Sequence, residues 1–214
     1  MKTSKSVYAI AIVISIVFYL SGLFTGVFFQ KSTLQITEEK LNEVQRRLEN
    51  VQLEYTYLNV MGNTLGCNFL GVLEQQTSND LYLIRKELAD FENKNDKTQD
   101  FLDLKKDYTL ASARAWLLNS YIGQQCGRND VVILYLYSVP CDLCVEQGKI
   151  IDDIRAELSN TSLNVFVLDV NIGEPIVNVI KDAYNVSTTP YLVIGNSTYR
   201  GLVEKQELIK IISG

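Results

Sequence analysis

The sequence predicts an α/β protein built in five parts, and three observations predict it. An uncharged apolar run occupies residues 7–29, a proline-free middle spaces its apolar residues three and four apart, and from Val131 onward short β-branched runs alternate with helix-patterned segments. The parts are an N-terminus at 1–6, a transmembrane helix at 7–29, a heptad-patterned helical stalk at 31–66, a helical hairpin at 67–127 and an α/β domain at 130–214.

The 23 uncharged residues of 7–29 would span about 34 Å as a helix, enough for a bilayer core. The apolar part of a cleaved signal peptide is shorter, about 7 to 15 residues, and no A-x-A-like cleavage site follows. The run therefore predicts an uncleaved anchor. Lys2 and Lys5 precede it, while Lys31 alone follows closely before Glu38 and Glu39. The positive-inside rule leaves the short N-terminus in the cytoplasm and the rest outside, as a single-pass cell-membrane protein with an extracytoplasmic C-terminal domain.

Residues Leu34, Thr37, Leu41, Val44, Leu48, Val51, Tyr55 and Leu58 lie on an a/d seam. This stretch, 34–58, either pairs with a second copy as a parallel coiled coil, making a homodimer, or packs on the hairpin of its own chain. Phe101, Leu104, Tyr108, Ala111, Ala115, Leu118 and Ile122 repeat the spacing, and 69–91 is apolar at helical spacing with a polar interruption at 77–80. The turn signal Asn93-Lys94-Asn95-Asp96-Lys97 between them predicts a hairpin with arms 69–91 and 98–124. Trp116, the single tryptophan, lies in the second arm as a packing residue.

In the last part an apolar strand, 131–137, runs into a helix beginning at Asp142, with Ile150, Ile151, Ile154 and Leu158 at helical spacing. A buried strand is read at 163–170 and a second helix at 175–184. Thr188-Thr189-Pro190 then leads into a strand, a Gly195-Asn196 hairpin turn, a further strand, and a last amphipathic helix at 204–212 after Gly201. Cys141-Asp142-Leu143-Cys144 sits where the first strand gives way to the first helix. Unpaired backbone N–H groups and the positive end of the helix dipole stabilise a thiolate there. The sulfurs fall about one helical turn apart, close enough to close on each other.

The order strand, helix, strand, helix, hairpin, helix, with the cysteine pair at the first helix, Pro190 opening the third strand and Gly201 before the last helix, resembles the thioredoxin-like superfamily over the last two fifths of the chain. As a whole the chain resembles membrane-anchored thioredoxin-domain proteins, archaeal ones among them. The resemblance implies a mixed four-stranded sheet with flanking helices and a thiol–disulfide oxidoreductase acting on protein disulfides. It further implies Cys141 as the exposed catalytic nucleophile, Cys144 as the resolving thiol, and Thr189 with Pro190 as the wall along which a substrate chain lies. Such chemistry needs neither a bound cofactor nor a metal, and requires a redox partner that the residues do not name.

Three departures from the thioredoxin pattern bear on the chemistry. Pro140 replaces the usual tryptophan, Asp142-Leu143 replaces Gly-Pro, and Tyr135 stands where many thioredoxins place a buried acid. Asp142 opposes a thiolate at Cys141 electrostatically, which favours reductase or isomerase behaviour over strong oxidase behaviour. Two readings from other classes remain: a non-enzymatic binding or scaffolding module with inert disulfides, and a metal chaperone holding a soft ion between Cys141 and Cys144.

Cys67 and Cys126 stand symmetrically about the hairpin turn, so continuous arms would bring them level at its open end. In an oxidising compartment they would form a structural disulfide, worth roughly 4 kcal/mol in the chain-entropy view. The alternatives are two buried free cysteines, a pair that exchanges with Cys141 and Cys144, or one zinc site of four thiolates.

The chain has no histidine, which removes Ser-His and Cys-His catalysis and any His-containing metal site. Apart from Lys2, Lys5 and Lys31, 17 of the 20 basic residues face 25 acidic ones, a net charge of −8 that disfavours nucleic acid. Asn160-Thr161-Ser162, Asn185-Val186-Ser187 and Asn196-Ser197-Thr198 match the N-glycosylation pattern and agree with export, no more.

Overall fold

The computed structural model describes residues 12–23, 66–94, 98–157 and 162–213. The expectations for 1–6, for both ends of 7–29, for the stalk apart from Gly66, and for the heptads of 34–58 lie outside these residues. The chain divides into two units, 1–60 and 61–214. In the first, 12–23 is helical with Ile12, Phe18, Tyr19 and Leu23 among its exposed apolar side chains. Among the described residues no helix is long and apolar enough to cross a membrane, only twelve residues of the expected 7–29 span being described.

The second unit opens with helix α1 over 66–93, followed by α2 over Gln99–Cys126. Thr109, Ser112, Ala113, Trp116, Asn119 and Ile122 recur three and four apart on α2 and are buried as one face. The helix stops at Gly127, whose φ of 64° is the left-handed conformation that ends helices and that glycine adopts without a Cβ clash. The two helices meet at both ends: the Cys67–Cys126 disulfide closes one, and Phe91 and Phe101, with ring centroids 6.4 Å apart, pack at the other.

The remaining elements are β1 (Val131–Tyr137), α3 (Asp142–Glu157), β2 (Leu163–Asp169), α4 (Pro175–Ala183), β3 (Tyr191–Ile194), β4 (Ser197–Arg200) and α5 (Lys205–Ser213). They form a four-stranded sheet of order β2-β1-β3-β4. β1 runs parallel to β2 and antiparallel to β3, and β3 runs antiparallel to β4. This mixed sheet with flanking helices is a thioredoxin-like arrangement. The β3–β4 turn is the two-residue Gly195-Asn196, with Gly195 at φ 57° in the first central position, where a primed turn requires positive φ.

Alternation along the strands sorts the core into two layers. Leu134 and Leu136 of β1, Phe166 and Leu168 of β2, and Tyr191 and Val193 of β3 face Ala113 and Trp116 of α2 and Ile180 of α4. Ile133, Tyr135 and Leu192 face Cys144, Ile151 and Ile154 of α3 with Leu208 and Ile212 of α5. The parts read from the sequence as 67–127 and 130–214 thus share one core, because α2 is itself a covering layer of the sheet. Trp116 lies in that layer, edge-on to Tyr184 at 5.9 Å.

α2 also tends the outer edge of β2. The Val167 N–H donates to the fully buried Ser112 hydroxyl at 3.0 Å, and Asn164 donates to the Asn119 side-chain oxygen at 3.2 Å. An edge strand leaves backbone groups without ladder partners, and these side chains satisfy groups that would otherwise be exposed to strand addition or buried unpaired.

Candidate functional site: the Cys141–Cys144 pair

β1 delivers the chain to the N-terminus of α3 at Cys141. Its carbonyl accepts the Val145 N–H at 3.2 Å, the first turn of the helix, so Cys141 stands at the cap position with its side chain among the free N–H groups. The Cys144 N–H points at the Cys141 sulfur, 3.1 Å away. Cys141 is half-buried and Cys144 is 4% exposed, and the two form a disulfide with S–S 2.05 Å. A reagent reaching this pair from solvent meets Cys141 first.

Thr189 lies against the same sulfur. Its carbonyl oxygen and its hydroxyl oxygen are each 4.0 Å from Cys141 Sγ, and its hydroxyl shares a 2.6 Å hydrogen bond with that of Ser138. The Thr189–Pro190 peptide is cis, Pro190 is buried, and its carbonyl accepts the Gly201 N–H at 2.9 Å. Gly201 has φ 77°, a conformation suited to glycine, where the chain leaves β4. Cys141, Cys144 and the Thr189-Pro190 segment therefore converge on one end of the sheet.

Cys67 and Cys126 do not join them. Their disulfide, S–S 2.00 Å and Cα–Cα 5.8 Å, ties α1 to the last residue of α2, just before β1 begins. Gly123 and Gln124 of that turn line a cavity of about 390 Å³ together with Val131, Ile194 and Asn196, at the end of the sheet away from Cys141. β1 lies between the two pairs and rises roughly 20 Å. In this arrangement the two pairs are not in contact, and the four sulfurs do not converge on one zinc.

Further residues complete the site; of these the sequence had marked only Tyr135, as the occupant of the usual acid position. The Tyr135 hydroxyl donates to the Cys144 carbonyl at 2.6 Å, and burial holds its pKa well above the ordinary phenol value. Burial, followed by the neighbouring Asp169 carboxylate, does the same to Tyr137. Gln147, fully buried one turn after Cys144, accepts the Val203 N–H at 2.7 Å and donates to the Val203 carbonyl at 3.4 Å, binding α3 to the approach of α5. Lys105 of α2 pairs with Asp169 at the end of β2. A polar residue on the inner face of an amphipathic helix was the only available signal for Gln147; Lys105 and Asp169 carried none.

No family description and no curated protein matches the chain. Solved structures similar to it include thioredoxin-2, described as a component of malaria parasite protein secretion machinery, at 17% identity over 39% of this chain and 82% of that one, TM-score 0.35. A chloroplastic thioredoxin z is similar at 13% identity over 44% and 86% of the respective chains, TM-score 0.36. A mutant thioredoxin from Halobacterium salinarum is similar at 27% identity over 40% and 74%, TM-score 0.34. The strand order and the place of the cysteine pair define the class on their own: a thioredoxin-like fold bearing a CxxC disulfide.

Proposed function

We propose that this chain is a membrane-anchored thiol–disulfide oxidoreductase acting on protein disulfides outside the cytoplasm, with Cys141 as nucleophile and Cys144 as resolving thiol. The observation that carries the proposal is the Cys144 N–H aimed at Cys141 Sγ from 3.1 Å, with Cys141 the more accessible sulfur. An N–H donor at a helix N-terminus stabilises a thiolate more than a thiol or a disulfide sulfur.

In the reducing direction the Cys141 thiolate attacks one substrate sulfur. The substrate S–S bond breaks, its other sulfur leaves as a thiolate and takes up a proton, and a mixed disulfide remains. Cys144, losing its proton, attacks Cys141 Sγ; the Cys141–Cys144 bond forms and the second substrate thiol departs. Two electrons and two protons have then passed to the substrate, and a dithiol partner must return them. Thr189 and Pro190 form the wall for the substrate chain, the Thr189 carbonyl oxygen lying 4.0 Å from Cys141 Sγ. The uncharged run 7–29 supports the anchor, 31–66 the stalk, and Cys67–Cys126 a structural role at the base of the hairpin.

The test is the equilibrium of the Cys141/Cys144 pair with glutathione in the purified full-length protein, together with turnover on a protein disulfide. A potential between roughly −270 and −180 mV, with turnover abolished by Cys141→Ser, is expected. Resistance to glutathione below about −300 mV would mark the bridge as inert and favour the binding-module reading.

A further inference from the structure

We propose that α2 is part of the redox site, with Lys105 acting through Asp169 and Asn171 as a positioning residue for the loop that carries Cys141. This rests on the reading of Cys141 and Cys144 as a redox pair. The Lys105 ammonium donates to Asp169 Oδ2, the two side chains being 15% and 3% exposed. The other carboxylate oxygen, Oδ1, accepts the Asn171 N–H at 2.9 Å. The Asn171 side chain in turn donates to the Val139 carbonyl at 3.1 Å. Val139 is two residues before Cys141.

The same lysine reaches the loop by a second path. Its ammonium stands 5.8 Å from the centroid of the Tyr137 ring, within range of a cation–π attraction. Tyr137 is the last residue of β1, and its carbonyl accepts the Val170 N–H at 2.8 Å. One side chain from α2 therefore holds the ends of both β1 and β2, where the chain turns toward Cys141. From the other side the Ser138–Thr189 hydroxyl pair grips the loop at 2.6 Å.

What this clamp controls is where Cys141 sits relative to the first turn of α3. The loop sets the direction in which the chain enters Cys141, and with it the 3.1 Å contact between the Cys144 N–H and Cys141 Sγ once the disulfide is opened. A buried ion pair adds little net stability over apolar residues of the same volume, so what it contributes here is direction. Loosening it takes more from the thiolate, which depends on the N–H groups, than from the disulfide, which depends on them less.

The test compares Lys105→Met, Lys105→Arg, Asn171→Ala and the Lys105→Met/Asn171→Ala double variant in the full-length protein. Two quantities are read: the rate at which iodoacetamide alkylates Cys141 in the reduced protein, and the equilibrium of the pair with glutathione. Lys105→Met and Asn171→Ala should each slow alkylation by about fivefold or more and shift the equilibrium toward the disulfide, and the double variant should be no worse than the poorer single one, as for residues in one relay. Lys105→Arg, which keeps the ion pair, should restore both readings to within about twofold.

Asn171 is exposed, so its variant remains informative if Lys105→Met fails to fold. Alkylation and equilibrium unchanged in Asn171→Ala, whatever happens to melting temperature, would overturn the positioning role. Wild-type turnover, measured alongside, reports separately on the redox reading. Its absence would remove that reading while the alkylation rates still decide the role of Lys105.

Discussion

Tyr135 stands behind the resolving cysteine where the sequence comparison looked for a buried acid, and its hydroxyl is engaged by the Cys144 carbonyl. Burial raises its pKa, and Tyr137 is raised likewise, so both phenols are neutral at physiological pH. An acid whose folded pKa lies above its ordinary 10.0 keeps its proton in the native state after the unfolded chain has lost it. Stability from both tyrosines is therefore complete below about pH 10 and falls as pH rises beyond it. Thermal melts from pH 8 to 11.5 or so should show that decline, and the Tyr135→Phe/Tyr137→Phe variant should flatten it; an equal slope in the variant would assign the loss to other groups. Cys141 and Cys144 were legible because their meaning lies in local spacing at a strand–helix junction. The partner of Tyr135 was not, because it depends on how α3 settles across β1.

At the scale of elements, α2 carries three tasks that its heptad-like spacing did not separate. Trp116 and Ala113 bury against the sheet, Ser112 and Asn119 serve the edge of β2, and Cys126 closes the hairpin. The spacing of three and four announces one buried face without saying whether a helix or a sheet covers it. The disulfide spans a sequence separation of 59. Replacing Cys67 and Cys126 by serine should cost about 4 kcal/mol and lower the melting temperature by roughly 10 °C. Turnover should survive, since this pair lies at the other end of β1 from Cys141. Loss of turnover in a variant that still melts cooperatively would give the outer pair a part in catalysis.

For the whole molecule the decisive question is where the sheet domain is displayed. The proposed anchor predicts that the full chain fractionates with membranes and is released by detergent but not by high salt or alkaline carbonate. A chain removed by carbonate would refute the integral anchor. Protease added to intact cells stripped of any outer barrier should reach the domain beyond Lys31, whereas protection of that domain would reverse the proposed orientation. On the proposed orientation, the excess of acidic residues beyond Lys31 would disfavour contact of that domain with an anionic lipid surface. The size of the full chain in mild detergent, compared with that of a variant bearing charges at Leu41 and Leu48, reads whether the 34–58 heptads join two copies.

By itself the sequence determined the order of strands and helices from Val131 onward, the two-residue hairpin at Gly195-Asn196 and the helix-terminal place of Cys141. All of these are local: a periodicity of two or of 3.6, a glycine able to take positive φ, a pair of residues one turn apart. Tertiary structure alone decided that α2 covers the sheet and belongs to its core, and that Lys105 meets Asp169 across 64 residues. Those outcomes follow from which apolar faces meet and which buried polar groups find each other. Close packing and the cost of an unpaired buried charge select such pairings among the whole chain at once, and no window of neighbouring residues contains them.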